Sequence, residues 1–87
     1  MLLAFYLKSF KKQFKRLPPK VQDKFGEKLE IFMTDRAAPA LNDHNLSGQW
    51  TKHRSINITG DYRAIYKLEK GIAIFVAIGS HDELYSK

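Results

Sequence analysis

The stretch at residues 72–79 constrains the fold of this chain more than any other feature, because every residue in it is apolar or glycine. Side chains of a strand alternate between two faces, so both faces of this stretch are apolar. Such a run, preceded by the turn-forming pair Lys70 and Gly71, is typical of a central strand. It is far shorter than the roughly 20 apolar residues that span a bilayer. The stretch therefore predicts a sheet with this strand inside it, in a protein that does not cross a membrane.

Two further strands are predicted immediately before this one. Residues 50–58 and residues 62–68 both alternate in polarity with the period of a strand. The turn-forming residues 59–61 separate them and indicate a hairpin. The C-terminal half is therefore predicted to form a three-stranded antiparallel meander.

The N-terminal end reads as a strand followed by a short helix. Residues 2–7 are apolar on both faces, which predicts a buried first strand. Ser9 is a candidate N-cap for the helix that follows, because its hydroxyl can accept a backbone hydrogen bond. Phe10, Phe14 and Leu17 recur at helical spacing and predict the buried side of that helix.

A pair of prolines separates this helix from a second one. Pro18 and Pro19 cannot continue the first helix but fit the first turn of the next. Gly26 lies inside the second helix, where it predicts close contact with a neighbouring helix. The second helix has one apolar stripe, formed by Val21, Phe25, Leu29, Phe32 and Met33.

This order of elements predicts an α+β fold in a single domain over residues 1–87. An N-terminal strand and two helices precede the meander, and the helices pack on one face of the sheet. The other face is expected to stay open. On that open side, the strand ends would bring Asp61, Arg63 and His81 together with His44, which lies in a predicted loop at residues 36–48.

The charge balance favours a polyanionic partner. Fifteen Lys and Arg residues face nine Asp and Glu residues, for a net charge of +6. Such a charge favours nucleic acid, although a solvated basic surface with no particular ligand would have the same composition. Lys11, Lys12 and Lys15 lie on the first helix, where we expect them to contact phosphate groups.

The absence of cysteine excludes several kinds of site. No disulfide framework, cysteine-ligated zinc or cysteine nucleophile is possible, and this composition agrees with a reducing compartment. The N-terminus places apolar residues before basic ones, which is the reverse of a secretory signal, so we expect a cytoplasmic protein. His44, Asp61, His81 and Asp82 match no compact metal-binding motif, so neither a metal nor another cofactor is expected.

Two segments of the C-terminal half carry a specific resemblance. Their order and spacing resemble the YafQ branch of the RelE/ParE superfamily of bacterial toxins. The resembling residues are Asp43, His44, Leu46, Gly48, Trp50 and Arg54, then Asp61, Ile65, Tyr66 and Lys67, then Gly79 and His81.

The resemblance implies a ribosome-dependent messenger-RNA endonuclease that is held inactive by a cognate antitoxin in a hetero-oligomeric complex. It implies catalytic roles for His44, Asp61 and His81, which occupy matching positions. Tyr85 stands where the branch has a functional aromatic residue, and Arg63 matches an arginine that steadies phosphate in the RelE branch.

This chain also departs from the pattern of the branch. Ser55 and Asn57 stand where the branch uses an aspartate and a histidine. The acid and base groups of the branch are therefore not all present, and the chain combines features of the YafQ and RelE branches.

RNA cleavage through the 2′-hydroxyl needs a general base, a cation near the phosphorane and a general acid. A histidine with an ordinary pKa of about 6.5 can donate a proton near neutral pH, so we expect His81 to be the acid. Asp61 or a histidine would be the base, and Arg63 would bind phosphate. Tyr85 is expected to stack on a base, and Lys52 and Arg54 to contact the RNA backbone.

Two other functions stay open at this point. ParE-like members of the same superfamily poison DNA gyrase without being enzymes, and a fold does not by itself determine function. Alternatively, the changes at Ser55 and Asn57 would leave a catalytically impaired module that binds RNA or a partner. Asp61 also has a purely structural interpretation as a turn residue, and His44 as an ordinary loop residue.

Overall fold

A computed structural model describes residues 2–85 of the chain. No helix in that part of the chain is long and apolar enough to cross a membrane. Two short 3-10 helices, Pro39–Leu41 and Gly48–Trp50, interrupt the loops. The helices and strands, in chain order, are β1 (Leu3–Tyr6), α1 (Lys8–Lys15), α2 (Pro19–Thr34), β2 (His44–Asn45), β3 (Arg54–Asn57), β4 (Tyr62–Glu69), β5 (Ile72–Ser80) and α3 (His81–Tyr85).

The strands form one mixed sheet in the order β1-β5-β4-β3-β2. Strand β1 runs parallel to β5, and all other neighbours are antiparallel. The predicted α+β fold is therefore confirmed, with its N-terminal strand, two helices and antiparallel meander. The two-residue strand β2 and the helix α3 are additions that the sequence pattern did not predict.

Helices α1 and α2 cover one face of the sheet with an aromatic core. Phe10 from α1 and Phe25 and Phe32 from α2 are buried against Tyr66 of β4 and Phe75 of β5. The ring of Phe32 meets that of Tyr66 edge-on, with centroids 4.9 Å apart. The apolar run of β5 lies inside the sheet between β1 and β4, as predicted.

The prediction that the first strand is buried was wrong. Strand β1 is at the edge of the sheet, and Leu3 and Phe5 are 58% and 63% exposed. Only the helix-facing residues, such as Ala4 and Tyr6, pack against the core. The reason is that the helices pack on the face of Ala4 and Tyr6, and nothing in residues 2–85 covers the opposite face of β1 at Leu3 and Phe5.

Two predictions about the helices were also wrong. Ser9 is not a cap, because α1 begins at Lys8; its hydroxyl instead donates to the carbonyl of Val76 on β5. Gly26 does not permit a close helix contact, because a Cβ atom built there meets nothing within 4 Å. By contrast, Pro18 and Pro19 do separate the two helices, as predicted, because α1 ends at Lys15 and α2 begins at Pro19.

The strand predicted at residues 50–58 begins later, at Arg54. Lys52 has a φ of +70°, which breaks an extended strand, and His53 N donates to the carbonyl of Trp50 in a turn. Periodicity alone could not reveal this, because alternating polarity continues through the turn.

The other face of the sheet was predicted to stay open, but it is partly covered. Helix α3 packs on it, and Leu84 is buried against Ile65 and Ala77. Leu46 and Trp50 pack around this second, smaller cluster. His81 and the other candidate site residues therefore lie beside a helix at the end of β5.

Candidate functional site

A capping box fixes the start of α3. Ser80 Oγ accepts a hydrogen bond from the backbone N–H of Glu83 at 3.1 Å, and Glu83 Oε1 accepts one from Ser80 N at 2.8 Å. This reciprocal pair satisfies backbone donors that the first turn of a helix leaves unpaired. The Ser-x-x-Glu spacing is visible in the sequence, and it is the signal that could have predicted α3.

The other end of α3 is held by two side chains from the loop before β3. Trp50 Nε1 donates to the carbonyl of Leu84 at 2.8 Å, and Gln49 Nε2 donates to the same oxygen at 3.2 Å. An isolated helix of five residues would not be stable in water. These contacts and the burial of Leu84 therefore stabilise α3 where it lies.

Helix α3 presents His81 and Tyr85 on one side, one turn apart. Their ring centroids are 4.6 Å apart. Both rings line a cavity of about 380 Å³, together with His44 and Arg63. Four residues that were predicted from separate parts of the sequence thus surround one space. Asn42 and Leu46 complete the wall.

Arg63 reaches this cavity from β4 and also holds the β3–β4 turn. Its Nη1 donates to the carbonyls of Thr59 at 2.9 Å, Gly60 at 3.0 Å and Tyr62 at 3.1 Å. Within residues 2–85, no hydrogen bond engages its Nε or Nη2. One edge of the guanidinium therefore fixes the turn, and the other donors remain for an anion.

Asp61 lies on the other side of His81 and does not line the cavity that contains His44. It lines a second cavity of about 350 Å³ with Tyr62, Ser80 and Asp82, and His81 is the residue common to both. The backbone carbonyl of Asp61 accepts a hydrogen bond from His81 N at 2.8 Å. The structure thus brings Asp61 next to His81, but Asp61 does not line the cavity that His44 and Arg63 share.

The side chain of His81 is accessible. It is 60% exposed, and its Nδ1 is 3.9 Å from the nearest carboxylate oxygen of Asp82, too far for a hydrogen bond. The His81 ring is therefore open to solvent and can contact a bound molecule.

His44 is held by its own loop. Its Nδ1 is 2.7 Å from the carbonyl oxygen of Asn42, which can only accept. The proton of a neutral imidazole is therefore on Nδ1, and Nε2 is left as the acceptor. Asn42 adopts a left-handed conformation with φ +46°, which turns the chain into β2.

Arg54 is used inside the protein. Its Nε donates to Asp43 Oδ1 at 2.6 Å and its Nη1 to Asn45 Oδ1 at 2.6 Å. These contacts tie β3 to the loop that carries His44. Arg54 was expected to contact RNA, whereas its hydrogen bonds show that it helps to hold this loop.

The two positions that depart from the YafQ pattern are both next to the site. Ser55 is fully buried, is paired in register with His44, and has no hydrogen-bond partner for its Oγ in the described structure. Asn57 is paired with Arg63, and its Oδ1 is likewise buried without a partner. Neither side chain can replace the charge of an aspartate or the proton transfer of a histidine.

The predicted RNA-binding lysines lie elsewhere. Lys52 is exposed in the turn before β3. Lys11 and Lys15 border a different cavity of about 310 Å³, lined by aromatic residues of the helical face. Lys12 is exposed on the same helix. None of the four lines the two cavities that contain His81.

Several solved structures share the fold of this chain. The structure of YafQ from E. coli strain BL21(DE3) superposes with a TM-score of 0.77 at 22% identity, covering 99% of this chain and 100% of that one. The E. coli DinJ-YafQ complex matches at 24% identity with a TM-score of 0.73, with coverage of 99% and 100%. The conserved hypothetical protein HP0894 from Helicobacter pylori matches at 30% identity with a TM-score of 0.63, with coverage of 98% and 100%.

No curated protein sequence matches this chain significantly. The family model described as the bacterial toxin of the type II toxin-antitoxin system, YafQ, matches residues 4–86, which is nearly the whole chain. The resemblance seen in the sequence is thereby confirmed, and the chain belongs to the YafQ family of type II toxin-antitoxin toxins.

Proposed function

We propose that this toxin is an endoribonuclease that cuts messenger RNA on the ribosome and so inhibits translation. The observation that carries the proposal is the cavity that His44, Arg63, His81 and Tyr85 share. It combines two imidazoles, a guanidinium and an aromatic ring in a space open to solvent. The imidazoles can act as general base and general acid and the guanidinium as the cation that cleavage through the 2′-hydroxyl needs, and the proposed reaction uses no metal ion.

In the proposed reaction, the 2′-oxygen attacks the adjacent phosphorus and the bond from phosphorus to the 5′-oxygen breaks. His44 Nε2 takes the 2′-hydroxyl proton, because its Nδ1 already donates to Asn42. His81 gives a proton to the leaving 5′-oxygen. The products are a 2′,3′-cyclic phosphate and a 5′-hydroxyl. Asp61 is the less suitable base, because its carboxylate lies outside this cavity.

The other two residues bind rather than transfer protons. The free Nε and Nη2 of Arg63 are suited to the two oxygens of a phosphate, whose charge grows in the transition state. Tyr85 lies against His81 and can stack on an unpaired base. The exposed Lys11, Lys12, Lys15 and Lys52 would contact backbone phosphates of the ribosome or message, at a distance from the reaction.

A cognate antitoxin is the second proposed partner. The related toxin of E. coli is described in a DinJ-YafQ complex. The net charge of +6 is suited to an acidic antitoxin segment that covers the basic surface. We propose a toxin–antitoxin hetero-oligomer in the cytoplasm, from which the free toxin acts on ribosomes.

Purified ribosomes carrying a defined message provide the test. The toxin should produce discrete cleavage sites by primer extension, with cyclic-phosphate ends, and the same RNA without ribosomes should stay intact. In cells, brief induction should stop amino-acid incorporation before DNA synthesis. Intact messages with arrested DNA synthesis would overturn the proposal in favour of gyrase poisoning, and intact messages with normal growth would indicate a binding module.

A further inference from the structure

A buried carboxylate lies directly beside His44 in the chain. The side chain of Asp43 is 5% exposed, and three side chains from three parts of the fold donate to it. Arg54 Nε is 2.6 Å from Oδ1, Arg36 Nε is 3.4 Å from Oδ2, and the hydroxyl of Tyr66 also donates to Oδ2. Two arginines and a phenol thus converge on one carboxylate.

The partners of Asp43 and the surroundings of His44 lie on opposite faces of the sheet. Arg54 is paired in register with Tyr66, whose ring belongs to the core under α1 and α2. His44 is paired with Ser55, and Ser55 with Ile65, which belongs to the cluster under α3. Because neighbouring side chains of an extended chain point to opposite faces, holding Asp43 on one face directs His44 to the other.

We propose that Asp43 is the positioning residue for His44 and that it holds this imidazole against the cavity shared with Arg63, His81 and Tyr85. The inference rests on the proposed function for the role given to His44. Asp43 does not contact RNA itself, because it is buried and both of its oxygens accept hydrogen bonds within the protein. Its proposed effect on cleavage is therefore indirect, through the position of His44.

The contact with Tyr66 supports a fixed carboxylate. Burial, together with the hydrogen bond to Asp43 and its negative charge, raises the pKa of the Tyr66 phenol to about 12. The phenol therefore keeps its proton throughout the physiological range and remains a donor to Asp43. Without such partners, the loop at Asn42–Asn45 would be held mainly by its two backbone pairs with β3.

The substitution Asp43→Asn tests the proposal with little change in shape. We expect the single-turnover cleavage rate to fall by about 10- to 100-fold, the scale of a misplacement of about 1 Å, with ribosome affinity unchanged. In a chain that already carries His44→Ala, Asp43→Asn should lower the rate no further. Asp23→Asn, at an exposed position of α2, is the matched control and should have no effect.

Nitrogen NMR of the His44 ring provides a measurement that does not need activity. The wild-type ring should show a proton on Nδ1, and Asp43→Asn should give a mixture of tautomers. Tyr66→Phe, which keeps the buried ring and removes one donor, should give a smaller change in the same direction and serves if Asp43→Asn does not fold.

The outcomes separate the two proposals. A changed tautomer in a toxin that cuts no RNA would retain the positioning role and reject the proposed function. An unchanged tautomer in the folded Asp43→Asn protein would overturn the positioning role. So would a further rate loss when Asp43→Asn is added to His44→Ala.

Discussion

Removing the capping box of α3 should loosen the helix that carries His81 and Tyr85. Ser80→Ala deletes the acceptor for Glu83 N, and loss of such a cap usually costs about 1 kcal/mol. The hydrogen bond is exposed, so water can partly replace it, and the cost should not exceed that value. An opening equilibrium that changes by about 1 kcal/mol changes about fivefold. Amide hydrogen exchange of Leu84 and Tyr85 should therefore accelerate about fivefold, while exchange in the core of β5 stays the same.

Matched variants distinguish loss of the capping hydrogen bonds from a nonspecific loss of stability. Glu83→Gln keeps an oxygen that can accept from Ser80 N, so it should behave nearly as wild type, whereas Glu83→Ala should resemble Ser80→Ala. The cleavage rate depends on the fraction of closed α3, so it should fall by no more than about fivefold in either alanine variant. Unchanged exchange in Ser80→Ala, or equal effects of Glu83→Gln and Glu83→Ala, would refute this account of α3.

Three further predictions concern the core, pH and binding. Leu84→Ala removes a buried side chain from the small cluster under α3 and should lower the free energy of unfolding by about 2–3 kcal/mol; an unchanged denaturant midpoint would contradict this. The pKa of Tyr66 is raised from 10.0 to about 12. The stability that its neutral phenol contributes should therefore be fully present below pH 10 and be lost as pH rises towards 12. Tyr66→Phe should lose less stability than the wild type in unfolding curves at alkaline pH. Identical pH profiles for the two proteins would contradict this role of Tyr66. Replacing Lys11, Lys12 and Lys15 with glutamine should weaken ribosome binding and reduce the slope of log affinity against log salt by roughly 0.7–0.9 for each lost contact, without changing the rate once bound. A filter-binding salt series measures the slope, and an unchanged slope would exclude these lysines from the interface.

The features that the sequence predicted well are those with local causes. Pro18 and Pro19 separate two helices because proline restricts its own neighbourhood. The apolar run of β5 requires a place inside the sheet whatever its partners are. The turn at Lys70 and Gly71 has positive φ at both residues, the geometry of a tight hairpin turn.

The wrong predictions depended on distant neighbours. Leu3 and Phe5 are as apolar as the residues of β5, but they lie on the face of β1 that the helices do not cover and are exposed. Helix α3 is too short to show apolar periodicity, and Ser80 and Glu83 were its only local signal.

The candidate site was predictable in part. His44, Arg63, His81 and Tyr85 were named from the resemblance, and the structure places them around one cavity. Asp43 was noticed only as a matching residue. Its hydrogen bonds reach Arg54 and Tyr66, which are 11 and 23 positions away along the chain, and no sequence pattern links such residues.

The most direct test of the proposed RNA cleavage is the single-turnover rate of His81→Ala on purified ribosomes that carry a defined message, at saturating enzyme. Loss of a general acid usually costs about 10²-fold or more, so the rate should fall at least that far while filter binding shows unchanged ribosome affinity. A His81→Ala protein that binds as wild type and cuts at the wild-type rate would contradict the assignment of His81 as the acid.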